Sequence, residues 1–327
     1  MLSDATKARK KMHDVHEPNQ SETVGPEEGI YEASWGHRLT MCLTVLLPFV
    51  GLVFGIVYAW IDGWMGWPFL AMLIGGWTMT GLGITVGFHR LLTHNSFSTF
   101  GWIRTLWMAC GALAVQGSPL VWCAVHRRHH EKSDVQGDPH SPNLHEHTWF
   151  GAIKGLVHAH TGWLFTKYWT SLDLKRYVPD LLSDRILVSV DRLYYLWVAA
   201  SLAIPTGLGA LITWSWQGAL MGFIWGGLVR VFVGHHVTWS INSICHVFGK
   251  RHFQTPDKSR NNPVCGILAF GEGWHNNHHA FPTSARHGLL WWQFDSSWIL
   301  IAMMKKMGLA WDVVVPSESL IQRRRIQ

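Results

Sequence analysis

Histidine is the residue through which this sequence could do chemistry. GEGWHNNHHAF, residues 271–281, carries His275, His278 and His279, and HRRHH repeats the spacing with His126, His129 and His130. On a helix, positions i, i+3 and i+4 share a face, so each trio can converge on a single point. Neutral imidazole is the commonest protein metal ligand. HRLLTH adds His89 and His94, five residues apart. On a regular helix that spacing leaves the rings about 140° apart. The pair serves one site only if the helix loosens between them, or else they grip different metals. TWSINSICH supplies Trp239, Asn242 and His246, whose i, i+3, i+7 spacing again shares a face.

The ligand count bears on the metal. A structural zinc takes four ligands, and nine histidines in repeated clusters exceed that. Two ions, each with several imidazoles and an open position, fit better, and imidazole suits iron as well as zinc. The Glu-x-x-His pattern of soluble di-iron bundles is missing. Glu272 reads as a group that orients a ligating imidazole rather than as a ligand. His140, His145, His147, His158 and His160 lie between the clusters and read as hydrogen-bonding groups. His13, His16 and His37 meet solvent or headgroups, and the adjacent His235 and His236 lack the third residue of a cluster.

Elements long enough to position these residues must be membrane helices. Hydrophobic residues make up 48% of the 327, charged residues 15%, and there are 21 tryptophans. Apolar runs at about 39–60, 69–88, 193–214 and 218–239 are each long enough to cross a bilayer. The turns IDGWMGWP and SWQ between paired runs carry no Lys or Arg, so they face away from the cytoplasm and both termini face it. All the clustered histidines then fall on the cytoplasmic side. A stretch at about 97–114 carries Arg104 and reads as an interfacial helix. Arg230, inside the fourth run, must face the bundle interior. The expected fold is all-α: four transmembrane helices under a cytoplasmic helical cap that holds a di-metal centre.

Residues 1–34 have the composition of a flexible cytoplasmic tail without the apolar core of a signal peptide, 35–310 form the main domain, and 311–327 a basic C-terminal tail. The net charge of +6 concentrates in KARKK and RRR at the two ends, where it suits anionic headgroups rather than nucleic acid. Five scattered cysteines give no disulfide framework.

With these residues assembled, the chain resembles the membrane fatty acyl desaturases, the family that includes stearoyl-CoA desaturase. The likeness runs through GFHRLLTH, HRRHH with SDVQGDPHSP, TWSINSICH, SRNN and FGEGWHNNHHAFPTSARHG, over roughly residues 35 to 300. It implies two irons held by His89, His94, His126, His129, His130, His246, His275, His278 and His279, with Asn242 reaching a metal through water. It also implies Trp122, Thr238 and Trp239 at the bend of a substrate tunnel. The implied activity inserts a cis double bond, at Δ9, into a saturated acyl chain, using O2 and two electrons. Such oxidation needs a cofactor, because acid and base groups cannot remove hydrogen from an unactivated methylene pair.

Animal acyl-CoA enzymes of this family carry Arg-Asp before the second cluster, where this chain has Ala124-Val125. The QGSPLVW, GDPHSP and SRNN segments are closer to bacterial, cyanobacterial and plant Δ9 enzymes, some acting on acyl groups esterified in lipids. Acyl-lipid is therefore the expected substrate with acyl-CoA the alternative, and Arg127, Arg128, Lys132 and Lys167 are the available phosphate partners. The tails hold no cytochrome b5 or flavin domain, so an external donor of the ferredoxin or cytochrome b5 type is expected. A hydroxylase of the same superfamily shares the clusters, and a metal transporter or sensor is the rival of another class.

Overall fold

The computed structural model describes residues 33–63, 66–146, 148–166 and 172–326. The first 32 residues of the expected tail, with His13, His16 and KARKK, lie outside the described residues, as do His147 and Lys167.

Four helices among the described residues are long and apolar enough to cross a membrane: span 1, Trp35–Ile61; span 2, Trp67–Thr93; span 3, Tyr194–Thr213; and span 4, Trp216–His246. All four coincide with the expected apolar runs. Spans 2 and 4 overshoot them at the C-terminal end, and the overshoot carries the site. Span 2 is an α-helix over Trp67–Leu82 that continues as a π-helix over Gly83–Thr93. Span 4 passes through a π-helical stretch, Gly222–Val229, before the α-helix Arg230–Ser243 and a short 3-10 turn, Ile244–His246.

Span 4 is the centre of the bundle. Its most apolar window is 61% buried, against 17%, 33% and 11% for spans 1, 2 and 3. Small residues allow the close crossings that stabilise helix pairs in lipid. A Cβ at Gly209 of span 3 would lie 2.1 Å from the Gly218 carbonyl of span 4, and one at Gly222 would lie 2.1 Å from the Pro205 carbonyl. Arg230 faces inward as expected and is 3% exposed. Its guanidinium donates to the carbonyls of Gly226, Leu113 and Ser201, so backbone groups rather than an acid stabilise it.

The expected interfacial helix is Gly101–Ala112, too short at 12 residues to span, and Arg104 pairs with Asp184. It packs against the π-helix of span 2. The remaining helices, among them Pro119–Lys132, Trp149–His160, Pro263–Leu268, His275–Ala280 and Ser296–Lys306, build a head on the ends of spans 2 and 4.

The chain is mostly helical, with one short antiparallel pairing of Ser98–Thr99 and Ala310–Trp311. Packing continues beyond 310. Helix Glu318–Arg324 buries Ile321 against Phe253, Phe281 and Leu289, and Arg324 donates to the Ala280 carbonyl at 2.6 Å. The basic residues hid one apolar anchor. All five cysteines are free.

Candidate metal centre

The nine histidines gather into two groups. His89, His94, His126, His130 and His278 form one, and His129, His246, His275 and His279 the other, with ligand atoms in each lying within 4.8 Å of one another. Convergence of each trio on a single point was the expectation, and the structure corrects it. The i, i+4 pair of HRRHH serves the five-histidine group while His129 turns to the four-histidine group. In HNNHH the roles reverse: His275 and His279 serve the four-histidine group and His278 the five. The physical reason is angular. Residues i and i+4 differ by about 40° around a helix, whereas i+3 lies about 60° to the other side, so a helix between two sites divides its trio.

The π-helix settles the alternatives for HRLLTH. His94 N–H donates to the His89 carbonyl at 3.1 Å, an i+5 bond. The widened turn brings both rings to one site, 4.9 Å between centroids. Such a turn inside a helix is frequent at functional sites.

The donor set fits metal. Within the five-histidine group, Nε2 of His89 and His278 lie 3.1 Å apart, His130 and His278 2.8 Å, His94 and His126 3.1 Å, and His126 and His130 3.0 Å. In the other group, Nε2 of His275 lies 3.1 Å from those of both His246 and His279. Separations of this size are compatible with several imidazoles on one ion, whose metal–nitrogen distances would be about 2.0–2.1 Å. Burial, and then the neighbouring imidazoles, push His126, His130, His275 and His278 well below the usual histidine range. Ring nitrogens gathered this closely could hold a cation between them. His129 Nε2 is buried without a hydrogen-bond partner, as a ligand atom awaiting metal should be.

Carboxylates behind the rings fix which nitrogen faces the metal. His89 Nδ1 meets Glu272 at 2.6 Å, His129 Nδ1 meets Asp138 at 3.0 Å, and His246 and His279 meet Asp134 and Asp257 at 2.8 Å. Burial alone would raise the carboxyls of Asp134 and Asp257. Hydrogen bonds and charge from His246 and His279 outweigh it, and both stay ionised well below the ordinary range. Glu272 has the orienting position expected of it, and it is bridged to Asp295 by the fully buried Arg90. Sequence reasoning passed over Asp134, Asp138, Asp257, Arg90 and His287. The available signal was two aspartates four residues apart immediately after HRRHH, in an acid-poor chain. His287 lies against His278, with ring centroids 4.6 Å apart, yet belongs to neither group of nine.

Other histidines have other partners. His235 meets the Val115 carbonyl, His160 meets His236 and Ser243, and His37 meets the Leu164 carbonyl.

A cavity of about 60 Å³ reaches the histidines, its walls including Trp77, Ile84, Trp122, Thr238, Asn242 and Phe270. A cleft of about 500 Å³ shares Gln116, Trp122, His126, Thr238 and Asn242 with it. Trp122 and Thr238 therefore stand at the neck between the two, where Gln116 donates to the Thr238 hydroxyl at 3.0 Å. Trp239 lines the outer cleft alone. Asn242 borders the inner cavity together with His129 and His275. The outer cleft opens between residues of span 1, among them Thr40 and Thr44, and of span 3, among them Tyr195 and Val198. Ala124 and Val125 are buried, and Arg127 is held by Asp180 and by the carbonyls of Thr93, Leu92 and Tyr177.

The family profile described as Fatty acid desaturase matches residues 62–314. A hex-5-enoyl-[acyl-carrier protein] acetylenase from Moorena producens is 41% identical over 287 residues, 86% of this chain and 87% of that protein. An sn-1 stearoyl-lipid 9-desaturase from Anabaena variabilis is 38% identical over 268 residues, covering 82% of this chain and 92% of its own. Delta-9 acyl-lipid desaturase 1 from Arabidopsis thaliana is 41% identical over 268 residues, 80% of this chain and 79% of that one.

Proposed function

Because the chain belongs to the fatty acid desaturase family, whose members are oxidoreductases, we propose that it inserts a cis double bond at Δ9 into a saturated acyl chain esterified to a membrane lipid. The observation that carries this reading is the meeting of two histidine groups, spaced for metal, with an apolar cavity entered through a cleft between spans. Two irons bound by the nine histidines would supply the oxidation of the C–H bonds by O2, with two electrons from a separate ferredoxin or cytochrome b5 type donor.

The residues supply position and exclusion. Glu272, Asp134, Asp138 and Asp257 hold four rings in register, so the ligand atoms meet a metal without rearrangement. Trp122, Thr238 and Gln116 narrow the path and fix which bond of the chain lies beside the histidines. Trp77 and Phe270 close the inner cavity and keep water out. Asn242 is placed to hold a water beside the four-histidine group.

Two features favour a lipid-linked chain over acyl-CoA. The outer cleft lies between spans 1 and 3, where a bilayer chain can enter sideways. Of the positions that would pair with a nucleotide carrier, Ala124 and Val125 are apolar and Arg127 is internally occupied. In this reading the head and both termini face the cytoplasm.

Expression in a host lacking unsaturated fatty acids, followed by mass spectrometry of intact lipids, tests the proposal. A Δ9 mono-unsaturated chain on lipid is the expected product. A hydroxylated chain would instead make the protein an oxygenase of the same superfamily, and an unchanged lipid profile with an active donor present would sink both.

A further inference from the structure

The two histidine groups differ in what stands behind them. In the four-histidine group three rings are backed by aspartates: His129 by Asp138, His246 by Asp134 and His279 by Asp257. The other hydrogen bonds to these aspartates come from hydroxyls, the Asn143 amide and backbone N–H groups. His140 Nδ1 also lies 3.8 Å from Asp138, while the charge of Asp134 and Asp257 remains directed at the site. In the five-histidine group the backing carboxylate is Glu272 on His89, and Arg90 lies against it at 2.8 Å. One ring in each group, His278 here and His275 in the other, has its Nδ1 buried without a hydrogen-bond partner. Access differs as well. His94, His126 and His130 are half-buried, whereas His129, His246 and His275 are buried.

We propose that the four-histidine position takes its metal first and holds it longer, and that the five-histidine position is the exchangeable one. The inference rests on the two-metal reading above. Ligand count alone argues for the opposite order, since the five-histidine group has one more imidazole. The charge behind the ligands decides against it. A carboxylate on Nδ1 makes Nε2 more basic and adds attraction for a cation in a low-dielectric site. Losing one such partner typically costs about 10–100-fold in metal affinity. Three aspartates against one glutamate paired with a guanidinium outweigh one extra imidazole donor. Asp134, Asp138 and Asp257 are thus positioning residues with a thermodynamic role.

The experiment follows iron release from purified holoprotein into ferrozine under reducing conditions. The expected course has two phases of one iron each. Asp257→Asn keeps a hydrogen-bond acceptor and removes only the charge. It should speed the slow phase at least tenfold and leave the fast phase unchanged, and Asp257→Glu should restore the slow phase. Glu272→Gln should alter the fast phase alone, and His94→Ala should leave one slowly released iron. Protein loaded with one equivalent of 57Fe should show a single Mössbauer doublet that changes in Asp257→Asn and not in Glu272→Gln. Two irons released in one phase, or Asp257→Asn acting on the fast phase, would overturn the inference while leaving the two-metal reading intact. Fewer than two irons in fully loaded protein would overturn that reading and the inference with it.

Discussion

The backbone N–H of His94 donates to the carbonyl of His89, five residues back rather than four. That single bond brings a pair too widely separated on a regular helix to one site. The stretch that holds it, Gly83–Thr93, is buried at every position, pressed between the helix Gly101–Ala112 and the head.

That packing predicts the effect of Gly83→Ala. A Cβ there would lie 2.3 Å from the Gly111 nitrogen and 2.4 Å from the Cys110 carbonyl carbon, both backbone atoms that cannot swing aside. The expected cost is about 1–3 kcal/mol. It should be read as a lower melting temperature in detergent together with reduced metal content. Unchanged stability would show that the helices do not need this approach.

Arg90→Met should be more damaging. Arg90 is fully buried and bridges Glu272 at 2.8 Å and Asp295 at 3.1 Å. Its removal leaves two buried carboxylates without their cation, a loss of roughly 3–5 kcal/mol. Chemical denaturation of the detergent-solubilised protein measures it. The double variant with Asp295→Asn should recover part of the loss.

Trp77→Ala should lengthen the chains that are turned over. Trp77 lies against Phe270, ring centroids 5.2 Å apart, at the wall of the inner cavity. Opening that wall admits further methylenes. Roughly a tenfold rise in the ratio of longer to shorter products is expected, the scale that one or two methylenes command in an apolar pocket. Gas chromatography of the products decides it, and an unaltered ratio would place the end of the tunnel elsewhere.

Thr238→Val tests the neck. The change keeps the volume and drops the hydroxyl that accepts from Gln116. The acyl chain should then slide, giving double bonds at neighbouring positions while total turnover falls less than about tenfold. A single unchanged product would show that shape alone sets the register.

The four spans were legible because bilayer thickness imposes a length that apolar runs must meet, and the inward turn of Arg230 followed from the cost of its charge. The nine histidines were legible by spacing, and all nine fall in the two groups. How they divide was not. A helical wheel shows that His126, His129 and His130 share a face, but the division depends on which neighbouring helix stands on each side of it. The π-turn at His89 was only one of two open alternatives, since an i+5 bond leaves no mark in residue types. Asp257 was hidden because it backs His279 from 22 residues away. The packing of 311–326 turned on Ile321 with Leu320 beside it, and on Val313, in a stretch that ends in arginines.

The pairing of Ser98–Thr99 with Ala310–Trp311 joins segments over 200 residues apart in sequence. Ligands to both groups come from as early as His89 and as late as His279, so a nascent chain has all four spans in the bilayer before either group is complete. A chain ending before His275 would lack one histidine of the five-histidine group and two of the four-histidine group, so neither group can close on an unfinished polypeptide.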